Sequence, residues 1–265
     1  MSLFKNIIFS KRYIFVFTLL YTFALFSINS ILIQETGNSI FFVRTAFENS
    51  FILSLDTRVF MITFGIIAPL LVCLACGNSY SDDKEANTLP MLYTKKNEIQ
   101  YHINNLFSIF ICTFILIFIP LFINFAISSI AFPTHMALDN MYANPAYILQ
   151  NNSPNILETF KTYNPMLFLA LSIFIISIIL GVIAILNYTL SVLLDVNKYV
   201  INAIVFFTYI GFDMFLSTIN KSEYSLFNYM DPNLTNAGFI YIVILLFIFF
   251  LISILILIIG IKRGR

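Results

Sequence analysis

The sequence predicts an all-α integral membrane protein, because its composition is strongly apolar and it contains six long apolar segments. Of its 265 residues, 60% are hydrophobic and only 10% are charged, whereas soluble domains contain about 25% charged residues. The mean hydropathy is +0.91. A helix of about 20 residues crosses a bilayer core of about 30 Å. Segments of this length lie at roughly 13–33, 59–79, 104–132, 166–194, 199–219 and 238–260.

The first apolar segment could be mistaken for a signal peptide, since Lys5, Lys11 and Arg12 precede it. Its apolar run is longer than that of a signal peptide, however, and no A-x-A-like cleavage site follows it. We therefore interpret it as a first membrane span. No internal repeat or soluble domain is visible, so we expect residues 1–265 to form a single transmembrane domain.

Net charge and cysteine placement exclude two other classes of protein. A net charge of +1 does not provide the concentrated basic surface that nucleic-acid binding requires. The three cysteines lie inside apolar segments, so they do not form the disulfide framework of a small secreted domain. The fold must therefore be held together by helix packing.

The distribution of Lys and Arg predicts the orientation of the chain in the membrane. An even number of spans places both termini on one side, and cytoplasmic loops carry an excess of Lys and Arg. Ten basic residues fall on the side of the termini and four on the other side. We therefore expect a multi-pass protein of the plasma membrane with cytoplasmic N- and C-termini. The ten are Lys5, Lys11, Arg12, Lys84, Lys95, Lys96, Lys198, Lys262, Arg263 and Arg265, and the four are Arg44, Arg58, Lys161 and Lys221.

Two short segments outside the spans show helical periodicity. Leu3, Phe4, Ile7 and Ile8 recur at helical spacing beside basic residues, which predicts an amphipathic helix at the inner membrane interface. An ordinary basic flank of the first span explains this pattern equally well. In the outer loop at 34–58, residues 43, 47 and 51 are apolar and four apart, as in a short helix on the membrane surface. The largest outer loop, at 133–165, contains four prolines.

The densest run of charges, SDDKEANTLPMLYTKKNE at 81–98, lies between the second and third spans. Asp82 and Glu85 have the spacing of a helix start. Thr88 is placed to begin a second, short helix containing Pro90, since proline is tolerated in a first turn. The segment is expected to present Leu89, Met91 and Leu92 as an apolar tip in the cytoplasm. Apolar side chains exposed in this way indicate a partner protein.

Six spans, an N-terminal amphipathic helix and an acidic E-x-x-T-L segment (Glu85, Thr88, Leu89) after the second span resemble the permease subunit of ABC-2-type ATP-binding cassette transporters. The resemblance covers most of the chain in topology, but its sequence-specific part is confined to about twenty residues. It implies that Glu85, Thr88, Leu89, Met91 and Leu92 belong to a coupling helix that docks on the ATPase. Where the family commonly has glycine before the threonine, this chain has Asn87, which also tolerates a left-handed backbone.

ATP hydrolysis is expected on another polypeptide. The chain lacks the G-x-x-x-x-G-K-[ST] sequence of a phosphate-binding loop. We identify no catalytic site and no cofactor in this chain. The resemblance implies cassette ATPase subunits that carry ATP and Mg, together with a second copy or a homologous membrane subunit.

Other candidate residues are interpreted mainly as structural. Cys73 and Cys76 form C-L-A-C, but too few ligands lie near them for a metal site, so we expect small buried residues that ease helix packing. Pro120 and Gly181 interrupt spans and are expected to shape packing in preference to forming a gate. Asp213, an acid inside the fifth span, should face a subunit interface or a wet cavity, unless the span ends before it.

Two functions are consistent with these observations. The first is the permease subunit of an ATP-driven exporter whose substrate is a hydrophobic or amphipathic peptide, lipid or drug. The second is a membrane binding or immunity protein that does not transport. The apolar tip at 89–92 favours the exporter, because a protein without an ATPase partner has no evident use for it.

Overall fold

The computed structural model describes residues 2–37, 43–54, 57–95, 97–133, 164–194, 196–231 and 238–263. The predicted outer loop at 133–165 lies almost entirely outside these ranges. Helices account for the regular structure of the described residues, and none of them forms a strand. The α-helices are α1 (Ser2–Ile8), α2 (Lys11–Glu35), α3 (Arg58–Val72), α4 (Ser79–Glu85), α5 (Leu89–Lys95), α6 (Glu98–Ala131), α7 (Pro165–Leu193), α8 (Lys198–Thr218), α9 (Leu226–Met230) and α10 (Phe239–Arg263).

Six of the helices are long and apolar enough to cross a membrane, which confirms the six predicted segments. They are α2, α3 with the turn that follows it, α6, α7, α8 and α10. The largest difference is in α6, which begins at Glu98 and not at residue 104, and so runs for 34 residues. At 1.5 Å per residue its length is about 50 Å, well beyond a hydrocarbon core of about 30 Å. Part of α6 therefore extends out of the apolar layer.

Helix α7 is the centre of the bundle. In its most apolar window 72% of the residues are buried, against 17% for α10, and both α6 and α10 pack along it. Glycines let these neighbours approach closely. A Cβ at Gly181 would lie 2.8 Å from the ring of Phe110 in α6, and one at Gly260 of α10 would lie 3.2 Å from the Leu193 backbone. Gly181 thus has the packing role that the sequence predicted.

Helix α3 contains a proline whose effect on the backbone is compensated by another helix. Pro69 has no amide hydrogen, so it cannot donate to the carbonyl of Gly65 one turn earlier. The hydroxyl of Tyr209, in α8, donates to that carbonyl at 3.0 Å. An exposed carbonyl would be costly in lipid. The bond therefore satisfies the freed backbone group and joins α8 to α3.

A five-residue π-helical turn, Cys73–Gly77, continues α3 toward α4. Cys73 and Cys76 are buried thiols in this turn, as the packing interpretation predicted. A Cβ at Gly77 would lie 2.5 Å from the Asn187 side chain of α7. The small residues of the turn thus allow the second span to lie directly against the central helix.

The prediction of a surface helix in the outer loop at 34–58 is wrong. Residues 46–53 form turns, and Phe47 and Phe51 are almost fully buried among the ends of the spans. The side chain of Asn124, in α6, accepts from the Phe51 amide at 3.0 Å and donates to the Ala24 carbonyl at 2.8 Å. The four-residue spacing reflects burial of the aromatic rings in a folded loop. In a helix, the Phe51 amide would bond to a carbonyl of the same helix; here the Asn124 side chain accepts that bond instead.

The N-terminal segment forms the predicted helix, α1, but its apolar face contacts protein. Ile7 is buried, and Phe4 and Ile8 pack against the main hydrophobic core. The helix lies chiefly against α6, while Lys5 is exposed. The amphipathic pattern is therefore real, and part of its apolar surface is used to brace the bundle.

The orientation of the chain can be tested with single cysteines at exposed positions. Asn97, before α6, and Ser222, after α8, are both exposed, and the three native cysteines are buried. We expect Ser222→Cys to react with an impermeant thiol reagent on intact cells and Asn97→Cys to react only after permeabilisation. Labelling of Asn97→Cys before permeabilisation would reverse the predicted topology.

The bond between Tyr209 and Gly65 can be tested with a double-mutant cycle. Tyr209→Phe should lower the free energy of unfolding by about 1 kcal/mol, because a carbonyl without an amide partner is left unsatisfied. In a Pro69→Ala background the amide of residue 69 can bond to Gly65, so the same change should cost much less. Equal costs in the two backgrounds, measured by reversible denaturation in detergent, would contradict this account.

Candidate coupling surface

The segment between the second and third spans folds as a helical elbow, which we define as α4, Ala86–Thr88 and α5. The prediction that Asp82 starts a helix is wrong. Helix α4 begins at Ser79, with Asn78 before it, so Asp82 lies within the helix. The chain reaches α4 directly from the π-helical turn, and the second span therefore continues further in helical form than its apolar run indicates.

Thr88 fixes the bend of the elbow, and it lies directly before α5, at the position predicted for the start of the second helix. Its side-chain hydroxyl donates to the carbonyl of Asp83 at 3.0 Å, and its amide donates to the same carbonyl at 3.1 Å. Its hydroxyl thus completes the end of α4, while its carbonyl accepts from the Leu92 amide of α5 at 3.0 Å. Asn87 has a φ of 54°, a left-handed conformation that asparagine tolerates. Pro90 is the second residue of α5, where its missing amide costs nothing.

Helix α5 carries the three apolar residues predicted for the tip, and they differ in exposure. Met91 is 58% exposed, whereas Leu89 and Leu92 are half-buried. Tyr93, on the same helix, packs edge-on against Tyr101 of α6 at a ring-centroid distance of 5.4 Å. The elbow therefore rests on α6, and the apolar surface that it offers consists of Met91 with parts of Leu89 and Leu92.

Ion pairs hold the elbow against two other spans. Lys198, the first residue of α8, contacts Asp82 at 3.0 Å and also donates to Glu85. Arg12, near the start of α2, donates to both carboxylate oxygens of Asp82 at 2.9 Å. The Lys198 side chain is only 7% exposed. We call these four residues the basal ion-pair cluster, and it connects α2, α4 and α8.

The basal ion-pair cluster changes the interpretation of two predictions. Glu85, expected to belong to a helix that docks on the ATPase, accepts a hydrogen bond from Lys198 within this chain, although its side chain remains 60% exposed. Arg12, one of the basic residues that precede the first span, is bonded to Asp82. Sequence analysis missed the cluster because its members are 70 and 116 residues apart. One signal for the cluster was present in the sequence: the acidic segment lies on the side predicted to carry most of the basic residues.

A second set of polar contacts joins the elbow to the core. Tyr101, in α6, donates to the Asp83 carboxylate at 2.5 Å. Burial raises the pKa of Asp83, although the bond from Tyr101 opposes that rise. Beside it, His102 Nδ1 lies 2.8 Å from the hydroxyl of Tyr188 in α7, and the Asn105 amide donates to the same hydroxyl at 3.2 Å. These bonds connect α4, α6 and α7.

The polar side chains of the elbow attach it to neighbouring helices. Salt bridges and a part-buried hydrogen bond join the elbow to three spans, α2, α8 and α6, and the exposed face of α5 offers an apolar side chain. No group of three or more His, Cys, Asp or Glu side chains that could hold a metal ion occurs within the described parts of the chain. The elbow is thus attached to several membrane helices and exposes Met91.

The two other residues singled out from the sequence lie away from the elbow. Pro120 is buried in α6, which continues unbroken through it to Ala131. Asp213 is half-buried in α8, fifteen residues and about 22 Å along the helix from Lys198. Helix α8 continues to Thr218, so it does not end at Asp213.

The comparisons with known proteins add no family to this description. No protein-family description, curated protein or solved structure matches the chain. What can be said of its function therefore depends on its own residues, on the membrane-spanning helices and on the geometry of the elbow.

Removing the buried lysine should loosen the elbow. We expect Lys198→Met to lower the free energy of unfolding by about 1–2 kcal/mol, because Asp82 and Glu85 lose a shared partner but remain partly hydrated. Asp82→Asn should cost less in the Lys198→Met background than in the wild type. The exposed Lys221 provides a control, since Lys221→Met should change stability little. Additive effects of the Lys198 and Asp82 changes in chemical denaturation would contradict a direct pair.

Proposed function

We propose that this chain is the permease subunit of an ATP-driven exporter of the ABC-2 type, and that the elbow is its coupling element. The observation that carries the proposal is the elbow itself. A short helix with an exposed Met91, α5, lies between the second and third spans, and ion pairs brace the preceding helix, α4, against other spans. This is the arrangement expected of a surface that receives force from a partner protein.

The connections of the elbow explain how a partner could move the membrane helices. Helix α4 follows α3 through the π-helical turn. Asp82 bonds to Arg12 of α2 and to Lys198 of α8, and Asp83 bonds to Tyr101 of α6. A displacement of α5 is thereby transmitted to four spans, because packed and ion-paired elements move as units more readily than they deform.

The proposal assigns ATP and Mg to separate cassette ATPase subunits and places the termini of this chain in the cytoplasm, at the plasma membrane. A second membrane subunit, identical or homologous, would complete the translocation path. Asp213 belongs to this proposal as a residue of the subunit interface or of a wet cavity, because an acid is costly in lipid. The substrate class remains a hydrophobic or amphipathic peptide, lipid or drug.

The ATPase contact can be tested with two substitutions on the same helix. Met91→Asp should abolish copurification of an ATPase and substrate-stimulated ATP hydrolysis, because a charge would be desolvated in an apolar cleft. Thr94→Asp, at a second exposed position of α5, is the matched control and should be milder. Leu89→Asp should also abolish coupling, but Leu89 is half-buried against its own chain, so its effect on folding must be measured separately.

The chain should be purified from its native membrane and the complex reconstituted before ATP hydrolysis is measured. Correct insertion of each variant is checked by its recovery in the membrane and its unfolding midpoint. If Met91→Asp and Leu89→Asp both retain full copurification and full ATP hydrolysis, α5 is not a coupling helix.

A further inference from the structure

A long apolar groove lies between α6 and α10, with α7 as its floor. Helices α6 and α10 both pack along α7, and the space between them has a volume of about 1000 Å³. Phe107 and Phe110 line it from α6, Ile178 and Val182 from α7, and Phe250 from α10. The volume is at the upper end of the range for ligand sites, about 300–1,000 Å³. None of these residues belongs to the elbow.

The groove matches one leaflet of a bilayer in length. Its α6 wall extends from Ile99, beside the inner end of that helix, to Phe110. These eleven steps correspond to about 17 Å, close to half of a hydrocarbon core of about 30 Å. The α10 wall is longer, from Val243 to Lys262, but the lining residues of α6 and α7 are confined to 99–110 and 178–185. A membrane-spanning partner helix would require a groove along the full thickness, whereas an acyl chain of one leaflet would not.

Charge is placed where the headgroup of such a lipid would lie. Lys262, in the last turn of α10, lines the inner end of the groove and is the charged side chain among the described residues of the lining. Arg263 follows it at the same end of the helix. An anionic phosphate beside Lys262 would place its acyl chain along the phenylalanines of α6. A basic residue near the membrane surface favours anionic lipid by about fivefold.

We propose that this groove is a binding site for an acyl chain of an anionic lipid of the inner leaflet, whose phosphate is held by Lys262. Helix α7 shapes the site because it lies between α6 and α10. Lys262, at the end of the groove, makes the site selective for an anionic headgroup. The proposal requires membrane insertion in the predicted orientation. It stands or falls independently of the ATPase contact of α5.

Tryptophan fluorescence provides a direct test, because the chain contains no tryptophan. Phe107 lines the groove and is 68% exposed, whereas Phe207 of α8 lies outside the lining and is 69% exposed. Each is nine residues from the start of its helix. Phe107→Trp and Phe207→Trp therefore report on the groove and on an ordinary membrane-facing surface. The full chain is reconstituted in phosphatidylcholine vesicles containing a minor fraction of phosphatidylglycerol with brominated chains, which quench tryptophan.

We expect the brominated phosphatidylglycerol to be enriched about fivefold at Phe107→Trp relative to Phe207→Trp. Lys262→Gln should remove this enrichment and Lys262→Arg should keep it. Lys11→Gln, which neutralises another exposed cation predicted on the same side, should not affect it. Brominated phosphatidylcholine should show no preference for either tryptophan.

Each other outcome would overturn the proposal. Equal quenching of the two tryptophans by phosphatidylglycerol would mean that the groove is ordinary lipid-facing surface. Enrichment of both lipids at Phe107→Trp, unaffected by Lys262→Gln, would mean that the headgroup is not recognised. Protection of Phe107→Trp from both lipids, with cross-linking between two copies through the groove, would identify it as a subunit interface.

Discussion

The requirement that determines this structure is that a backbone within a bilayer must satisfy its own polar groups. Helices meet it internally, and two departures from regular helix within the described residues have a partner supplied by another element. The carbonyl of Gly65, freed by Pro69, accepts from Tyr209. The irregular segment at 43–54 is buried against the spans, where Asn124 bonds its Phe51 amide. The same bonds that prevent unsatisfied groups also tie α8 to α3, and the loop to α2 and α6.

Packing around α7 follows from a second property of the membrane, the absence of a hydrophobic driving force between helices already in lipid. Close contact must come from shape, and small residues allow it. Gly181 accepts the ring of Phe110, Gly260 approaches the α7 backbone, and Gly77 faces Asn187. Because α6 and α10 are both drawn to α7, they leave a concave surface between them. The groove that we propose as a lipid site is thus a consequence of how the central helix is packed.

Electrostatics braces the end of the bundle that carries the elbow. Lys198 is almost completely buried, yet it has two carboxylates within reach, and Arg12 completes the set. Partners of this kind make burial of a charge acceptable, and they also fix the relative positions of three spans. The half-buried leucines and the exposed Met91 of α5 therefore lie on a braced support. A docking surface needs such a support if force is to pass through it.

The sequence by itself determined the six spans, the N-terminal helix, and the short α5 with Pro90 in its first turn and Asn87 in a left-handed conformation. These depend on hydropathy and on local backbone preferences, which act over a few residues. Tertiary structure alone decided that Asp82 lies inside a helix and pairs with Arg12 and Lys198, that residues 46–53 are buried turns, and that a groove separates α6 from α10. The partners in these contacts are distant in sequence. Periodicity predicts that a helix has an apolar face, but it does not identify what packs against that face.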